Sequence, residues 1–257
     1  MNRRHFLQAG GAMLACPLCG ALAARAARAA GNKPHWSYGG ASGPDAWGTL
    51  DPAYGACGAG TQQSPIDLNA AVRAELAPVG VRWQRVTLDS VVNNGHTIQV
   101  NTPQGGHIEL DGVRYDLLQF HFHHLSEHTL EGRHFPLEVH FVHKAAGGDG
   151  LAVIGVFFEE GAENPVLAPV WQAMPRQEGE GASAAVIDPA ALLPASRAAF
   201  RYAGSLTTPP CSEIVSWTVF AAPLSASGGQ IAAFAELFPN NFRPVQPRNR
   251  RFLLTAG

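Results

Sequence analysis

The chain has 257 residues, 46% of them hydrophobic, so it can bury the core of one large domain. Eighteen basic and twenty acidic side chains give a formal charge of −2, and only 15% of the residues are charged, which leaves no electrostatic case for nucleic-acid binding. Nineteen prolines and twenty-eight glycines among short β-branched and aromatic runs favour a mainly β fold with short helices (α+β) over a helical bundle.

The first thirty residues have the pattern of an export signal. A pair of arginines precedes an apolar stretch at 9–24, and small residues at 27–29 suit cleavage. Paired arginines are typical of the twin-arginine signal, which carries folded proteins across the bacterial inner membrane; an ordinary secretory signal is the alternative. We predict a cleavable signal at 1–29, one domain at 33–253, and a periplasmic or secreted protein without stable membrane insertion.

Two of the four cysteines, Cys57 and Cys211, remain after such cleavage. Exported proteins meet an oxidising compartment, in which two cysteines are readily joined. We therefore predict a Cys57 to Cys211 disulfide, which would stabilise the protein by on the order of 4 kcal/mol in the chain-entropy model.

Strand patterns dominate the rest of the chain. Turn-forming residues fill 39–61 and 62–68, and no regular structure is predicted there. Strands are predicted at 81–83, 91–100 with an interruption at Asn94 and Gly95, 107–110, 113–115 and 151–158. Asp111-Gly112 is a hairpin signal, and the continuous apolar run at 151–158 is typical of a strand buried on both faces. Short helices are predicted at 165–174 and 230–237.

The stretch 119–143 is the most informative one, because it holds seven of the eleven histidines. Apolar and polar residues alternate over 118–123, so in an extended strand His121 and His123 share one face. A single histidine on a strand is usually a surface or hydrogen-bonded residue. Two on one face have little packing rationale, since apolar residues would bury there at lower cost.

A third histidine has the same phase on a second predicted strand. Alternation returns at 137–142 and projects His140 from the polar face. If 125–136 turns the chain back, His140 arrives beside His121 and His123, and three neutral imidazoles with one open position form the arrangement of a catalytic zinc site. The other histidines of the stretch are interpreted as structural or solvent-facing: His124, His128, His134 and His143.

A rigid turn is predicted where two threonines precede two prolines at 207–210. On residue type alone, Thr207 and Thr208 have two interpretations. They either cap this turn or present hydroxyls to a ligand.

Short motifs follow one another in order along the chain. They are His-Trp-x-Tyr at 35–38, Gln-Ser-Pro-Ile-Asp at 63–67, Asn-Asn-Gly-His at 93–96, Gln-Phe-His-Phe-His at 119–123, Ser-Glu-His at 126–128, Leu-Glu-Val-His-Phe-Val-His at 137–143, Gly-Ser-Leu-Thr-Thr-Pro-Pro at 204–210, Trp217, and Phe-Arg-Pro-x-Gln-Pro-x-Asn-Arg at 242–250. Together they resemble the α-class carbonic anhydrases, zinc enzymes that interconvert carbon dioxide and bicarbonate. The resemblance implies a single domain around a large twisted, mostly antiparallel sheet, with zinc at the base of a conical cleft.

The resemblance also implies a role for each matching residue. His121, His123 and His140 match the zinc ligands, Glu127 and Thr207 match the pair that orients the attacking zinc-bound hydroxide, and His96 matches the proton shuttle. Gln119 and Glu138 match the groups that hold the ligand imidazoles, and Val142, Val153, Leu206, Thr207, Thr208 and Trp217 match the substrate-binding wall. The implied partners are carbon dioxide, bicarbonate, and sulfonamide and anion inhibitors; the oligomeric state stays open, with a homodimer as one option.

Some features depart from the family or fit other classes. His124 stands where many relatives carry Trp or another bulky residue, and the loop at 125–135 is shorter than in animal members. One alternative is a non-catalytic exported zinc- or glycan-binding β-protein. Another is a cupin-type metalloenzyme, because the spacing from His121 to Glu127 meets part of the cupin motif, although Tyr115 replaces its glycine.

Overall fold

A computed structural model of the chain describes residues 35–256, so the predicted signal at 1–29 lies outside the described residues. The strands in this range are β1 (Asp67–Leu68), β2 (Val72–Ala74), β3 (Gly80–Trp83), β4 (Val86–Thr87), β5 (Val91–Asn93), β6 (Ile98–Asn101), β7 (Gly106–Leu110), β8 (Val113–His123), β9 (Thr129–Leu130), β10 (Leu137–Ala145), β11 (Leu151–Glu160), β12 (Gly179–Gly181), β13 (Val186–Ile187), β14 (Ala199–Gly204), β15 (Val215–Ala226) and β16 (Leu254–Ala256). The helices are α1 (Trp47–Leu50), α2 (Ala56–Ala59), α3 (Leu167–Ala173) and α4 (Gly228–Ala235), with 3₁₀ turns at Gly40–Ser42, Pro52–Tyr54 and Pro189–Leu192. The predicted mainly β class with short helices is confirmed.

Twelve of these strands form one large sheet. Its order is β12-β5-β6-β8-β10-β11-β15-β14-β16-β2, and β3 is attached to β8 through β7. Within the described range, β11–β15 and β16–β2 are its parallel pairs, and its other pairs are antiparallel, as predicted. The histidine-rich stretch therefore lies on β8 and β10, near the middle of the sheet.

The core fixes the register of these two central strands. Phe120 and Phe122 of β8 pack in one cluster with Val139 and Phe141 of β10, and all four are fully buried. Burying each such side chain stabilises the fold by about 1.5–3 kcal/mol. Because a slip of one residue would expose the whole set, the alternating polar side chains are held on the opposite face.

Other predicted elements are also present. Asp111 and Gly112 both have positive φ angles, 50° and 80°, and join β7 to β8 as a hairpin. The apolar run at 151–158 lies within β11, between β10 and β15, and is buried as predicted. The predicted helices correspond to α3 and α4, and α4 begins early because Ser227 and Gln230 cap its first turn reciprocally.

The prediction of no regular structure at 39–61 and 62–68 is wrong, because four short helical turns lie in the first range and β1 ends the second. The side chain of Asp51 accepts a hydrogen bond from the Ala53 N–H at 2.7 Å and caps one of them. Trp47 is fully buried, and its Nε1 donates to the Ser37 carbonyl at 2.9 Å. This tertiary anchor stabilises single turns that the local composition does not indicate.

The predicted disulfide between Cys57 and Cys211 is confirmed. It ties α2 to the turn after Thr208, whose carbonyl accepts a hydrogen bond from the Cys211 N–H at 2.9 Å. Such a bond is typical of an oxidising compartment. Among residues 35–256, no helix combines the length and the apolar character that crossing a bilayer requires.

Candidate metal centre

Three histidines meet at the middle of the sheet. His121 and His123 belong to β8, and His140 pairs directly with His121 across to β10. One nitrogen from each ring can be chosen so that the three atoms lie within 4.8 Å of one another. His123 and His140 are each only 1% exposed, so this group lies in the interior.

A fixed partner holds the outer nitrogen of each ring. His121 Nδ1 forms a hydrogen bond with Gln119 Oε1 at 2.9 Å, and His123 Nδ1 forms one with the Asn241 carbonyl at 2.7 Å. His140 Nε2 lies 2.9 Å from Glu138 Oε1 in an ion-pair contact whose angles do not meet those of a hydrogen bond. Such partners fix the tautomer and the orientation of a ligating imidazole. The other nitrogen of each ring is left for a shared ligand.

The Glu138 carboxylate is itself fixed by a buried network. It accepts hydrogen bonds from the backbone N–H of His128 at 2.9 Å and from Nδ1 of the same residue at 2.8 Å. His128 Nε2 lies 2.7 Å from the Tyr202 hydroxyl, so this histidine is structural. Gly155 lies opposite His140 on β11, and a Cβ there would stand 2.8 Å from Glu138 Oε1. Glycine at this position makes room for the carboxylate.

Burial determines most of the electrostatics at the centre. It lowers the pKa of His121 well below the usual value, and it also lowers the pKa of His123. At His140, burial acts in the same direction, but the Glu138 carboxylate outweighs it and raises the pKa. Burial would raise the pKa of Glu138, yet the facing imidazoles hold it well below its usual range. His121 and His123 are therefore neutral, as metal ligation requires.

The inner side of the site has polar atoms that lack partners. Within residues 35–256, His123 Nε2 and Glu127 Oε2 are buried and form no hydrogen bond. Each such atom costs about 1–3 kcal/mol, which a bound cation would offset. Three imidazole nitrogens are a donor set that suits zinc. The residues present therefore fit a zinc ion.

Glu127 lies beside the rings of His123 and His140. Its Oε1 accepts a hydrogen bond from the Arg243 N–H at 2.9 Å, and its Oε2 lies 3.5 Å from His123 Nε2 and 3.7 Å from His140 Nδ1. Thr207 lines the cleft above, but Glu127 Oε2 has no hydrogen-bond partner within 35–256. The nearest nitrogens to this oxygen are therefore those of the two imidazoles.

A cleft of about 160 Å³ opens above the three rings. Val142, Val153 and Trp217 form one row across β10, β11 and β15, since each pairs with the next in register. The cleft is also lined by Leu206, Thr207 and Thr208. Trp217 Nε1 donates to the Ser205 carbonyl at 3.0 Å and so anchors the turn that carries them. The wall is apolar, with hydroxyls at one side.

His96 lines the same cleft at its rim, on the turn between β5 and β6. Its ring stacks on Trp36 with centroids 3.7 Å apart and planes 8° apart, and it is half-buried. Asn94 Oδ1 accepts a hydrogen bond from the His96 N–H at 3.0 Å. Burial lowers the pKa of His96, and the neighbouring His35 adds to that effect.

Some contacts of the site were not predicted from the sequence. The Asn241 carbonyl holds His123, and Asn241 Nδ2 donates to the His96 carbonyl at 2.9 Å. Asn241 therefore links the three histidines to the turn that carries His96. A backbone carbonyl gives no signal in the sequence. Trp36 belongs to the His-Trp-x-Tyr motif at 35–38, and the motif alone does not indicate that its indole stacks on His96.

In this mainly β protein, a mostly antiparallel sheet directs three imidazoles, one partly buried and two fully buried, into an apolar cleft, as in metal-dependent enzymes. The sequence matches the family model described as eukaryotic-type carbonic anhydrase over residues 42–256. A carbonic anhydrase from Nostoc sp. is 43% identical over 228 residues, which cover 86% of this chain and 86% of that protein. The α-carbonic anhydrase of Thermovibrio ammonificans, solved with the inhibitor sulfanilamide, is 48% identical with a TM-score of 0.83, covering 87% of this chain and 100% of that one. A carbonic anhydrase from Chlamydomonas reinhardtii in complex with acetazolamide is 36% identical with a TM-score of 0.75, covering 86% and 99%.

The chain belongs to the α-class, or eukaryotic-type, carbonic anhydrase family, whose members are zinc enzymes. Its activity is the reversible hydration of carbon dioxide to bicarbonate and a proton, which makes it a lyase. The resemblance drawn from the sequence is thereby confirmed. The non-catalytic zinc- or glycan-binding alternative and the cupin alternative are not favoured.

Proposed function

We propose that His121, His123 and His140 bind the zinc ion with which this chain hydrates carbon dioxide. The observation that chiefly supports this is their three nitrogens within 4.8 Å, on rings whose outer nitrogens are already held. Zinc bound there would lower the pKa of a water molecule enough to supply a nucleophile near neutral pH.

Glu127 and Thr207 orient the nucleophile in this proposal. Arg243 N–H fixes Glu127 Oε1, which leaves Oε2 as a free acceptor. A hydroxyl has one proton, so if Thr207 donates it to Glu127, its oxygen can only accept from the nucleophile. The attacking lone pair is then directed toward the apolar wall.

Carbon dioxide has no charge to recognise, so we assign it to the apolar wall. Val142, Val153, Leu206 and Trp217 line the cleft there. The backbone N–H of Thr207 donates to the oxygen on which negative charge develops. His96 at the rim takes the released proton and passes it to buffer, a task that suits an imidazole near neutral pH.

The test measures zinc content and carbon dioxide hydration by stopped flow, with and without a chelator. We expect His140→Ala to lose most of the bound zinc and nearly all activity, because two imidazoles hold the ion poorly. The matched control is His107→Ala, which removes a histidine on β7 away from the cleft and should keep both. Stoichiometric zinc in His140→Ala would contradict the ligand assignment.

We also propose that residues 1–29 are a cleavable twin-arginine-like signal, that the catalytic domain spans 33–253, and that the mature protein is periplasmic or secreted. The family match from residue 42 onward and the disulfide support this. The N-terminal sequence of protein from the periplasm and medium is the test. An unprocessed N-terminus on protein confined to the cytoplasm would contradict it.

Sulfonamide binding is proposed for the same site. The relatives solved with sulfanilamide and acetazolamide support it. The deprotonated sulfonamide would occupy the fourth position of the zinc site and hydrogen-bond to Thr207. Undiminished activity under saturating sulfonamide would count against the assignment.

A further inference from the structure

An acidic side chain lies over the turn that carries His96. β12 pairs antiparallel with β5, with Gly179 opposite Asn93, so Glu178 extends past the end of β5. Glu178 Oε1 lies 2.6 Å from the point where a Cβ of residue 95 would stand. Gly95 also has φ +81°, so it provides both the backbone angle and the room for this carboxylate.

The groups around His96 oppose one another electrostatically. Tyr38 is near, with ring centroids 6.4 Å apart, but burial raises its pKa well above the usual value, so it stays neutral. Burial and His35, whose ring centroid is 6.2 Å away, lower the pKa of His96. Glu178 acts in the opposite direction. In this set, the carboxylate is the group that favours the protonated ring.

We propose that Glu178 is a positioning residue that keeps His96 basic enough to accept the proton released by carbon dioxide hydration. The proposal rests on the proposed shuttle role of His96. Proton transfer is efficient when the acceptor titrates near the working pH, whereas burial and His35 make the imidazole a weaker base. Because Glu178 is exposed, its influence is screened by water and salt and is modest in size.

The experiment compares Glu178→Gln with Glu180→Gln. Glu180 lies two residues away on β12, and its Oε1 accepts a hydrogen bond from the Ser90 hydroxyl. The His96 ring is titrated by NMR in zinc-loaded and zinc-free protein, with its signal assigned by its loss in His96→Ala. We expect Glu178→Gln to lower the pKa of His96 and Glu180→Gln to leave it unchanged.

Steady-state kinetics in dilute buffer provide the second readout. We expect Glu178→Gln to lower kcat about threefold and to leave kcat/KM unchanged, with restoration by added imidazole buffer. High salt should narrow the difference from wild type. Glu178→Lys should lower kcat further, since it places a like charge beside the protonated ring.

The outcomes separate this inference from the proposed function. An unchanged pKa of His96 in Glu178→Gln overturns the inference. The inference is also overturned if Glu178→Gln lowers the pKa of His96 but keeps the wild-type kcat, while His96→Ala loses kcat. If His96→Ala is itself fully active in dilute buffer, the shuttle role fails and the inference falls with it, even where the NMR titration shows the coupling.

Discussion

The base and the rim of the cleft hold their functional side chains by different means. At the base, each of His121, His123 and His140 rests against a partner inside the protein. At the rim, His96 stacks on an indole and is flanked by exposed groups. Interactions in the interior are strong and little screened, whereas those at the surface are weakened by water and salt. The base fixes geometry, and the rim can exchange protons with solvent.

The largest expected effect comes from removing the buried carboxylate at the base. Glu138→Ala leaves His140 and His128 without their buried acceptor, so we expect a loss of about 3–5 kcal/mol in the free energy of unfolding. Zinc affinity should also fall about 10- to 100-fold, because the ligand ring loses its orientation. Chemical denaturation and metal titration measure the two effects.

Two variants sharpen this test of the base. Glu159→Ala removes an exposed carboxylate at the end of β11 and should change stability by less than about 0.5 kcal/mol. Gly155→Ala keeps every charge but places a Cβ 2.8 Å from Glu138 Oε1, so it should weaken zinc binding by displacing the carboxylate. Wild-type zinc affinity in both Glu138→Ala and Gly155→Ala would show that the outer partner does not hold the ligand.

The next effect concerns the disulfide that anchors the turn after Thr208. Cys57 and Cys211 are 154 residues apart, and opening so long a loop should cost up to about 5 kcal/mol in the chain-entropy model. We expect reductant to lower the melting temperature of the mature protein. The Cys57→Ser, Cys211→Ser double variant should have the melting temperature of reduced wild type, and reductant should not change it. Two titratable thiols in unreduced, denatured protein would contradict the prediction.

A third effect is acid sensitivity from a buried histidine that lies away from the cleft. His143 accepts a hydrogen bond from Trp83 Nε1 at 3.0 Å, and burial lowers its pKa to about 4. In the unfolded chain, the His143 imidazole takes up a proton near pH 6.5. Between pH 6.5 and 4 the unfolded chain therefore holds more protons than the folded protein. Above pH 6.5, the titration of His143 does not reduce the free energy of unfolding. As the pH drops from 6.5 to 4, this titration lowers the free energy of unfolding by about 3 kcal/mol.

The measurement is the free energy of unfolding against pH for wild type and His143→Gln. Glutamine does not titrate, so the variant should lose the part of the pH dependence that lies between 6.5 and 4, whatever its absolute stability. The difference between the two curves isolates His143 from the other histidines. Parallel curves would show that its burial does not control acid sensitivity.

The sequence predicted the ligand strands because strand alternation is local. The patterns at 118–123 and 137–142 assign His121, His123 and His140 to polar faces, and the core then sets the register that joins them. Likewise, Asp111-Gly112 specifies its own turn. Such features depend on neighbours a few residues away.

Contacts between distant segments could not be predicted in this way. The Asn241 carbonyl reaches His123 from 118 residues away and carries no side-chain signal. Glu178 reaches the His96 turn only because β12 pairs with β5, and that short strand has no alternating pattern of its own. The short helical turns within 39–61 are stabilised by tertiary anchors such as the buried Trp47. The positions of the three histidines at the base could thus be predicted from strand patterns, whereas the contacts around His96 at the rim could not.

The smallest expected effect is at the rim, where solvent can replace what is lost. His96→Ala should lower kcat about tenfold in dilute buffer and spare kcat/KM, because carbon dioxide attack does not use this ring. A high concentration of imidazole buffer should restore much of kcat, since a diffusible base can enter the open cleft. Zinc content and unfolding free energy should stay near wild type, in contrast with Glu138→Ala. Equal losses of kcat and kcat/KM without buffer rescue would mean that His96 supports the geometry of the base.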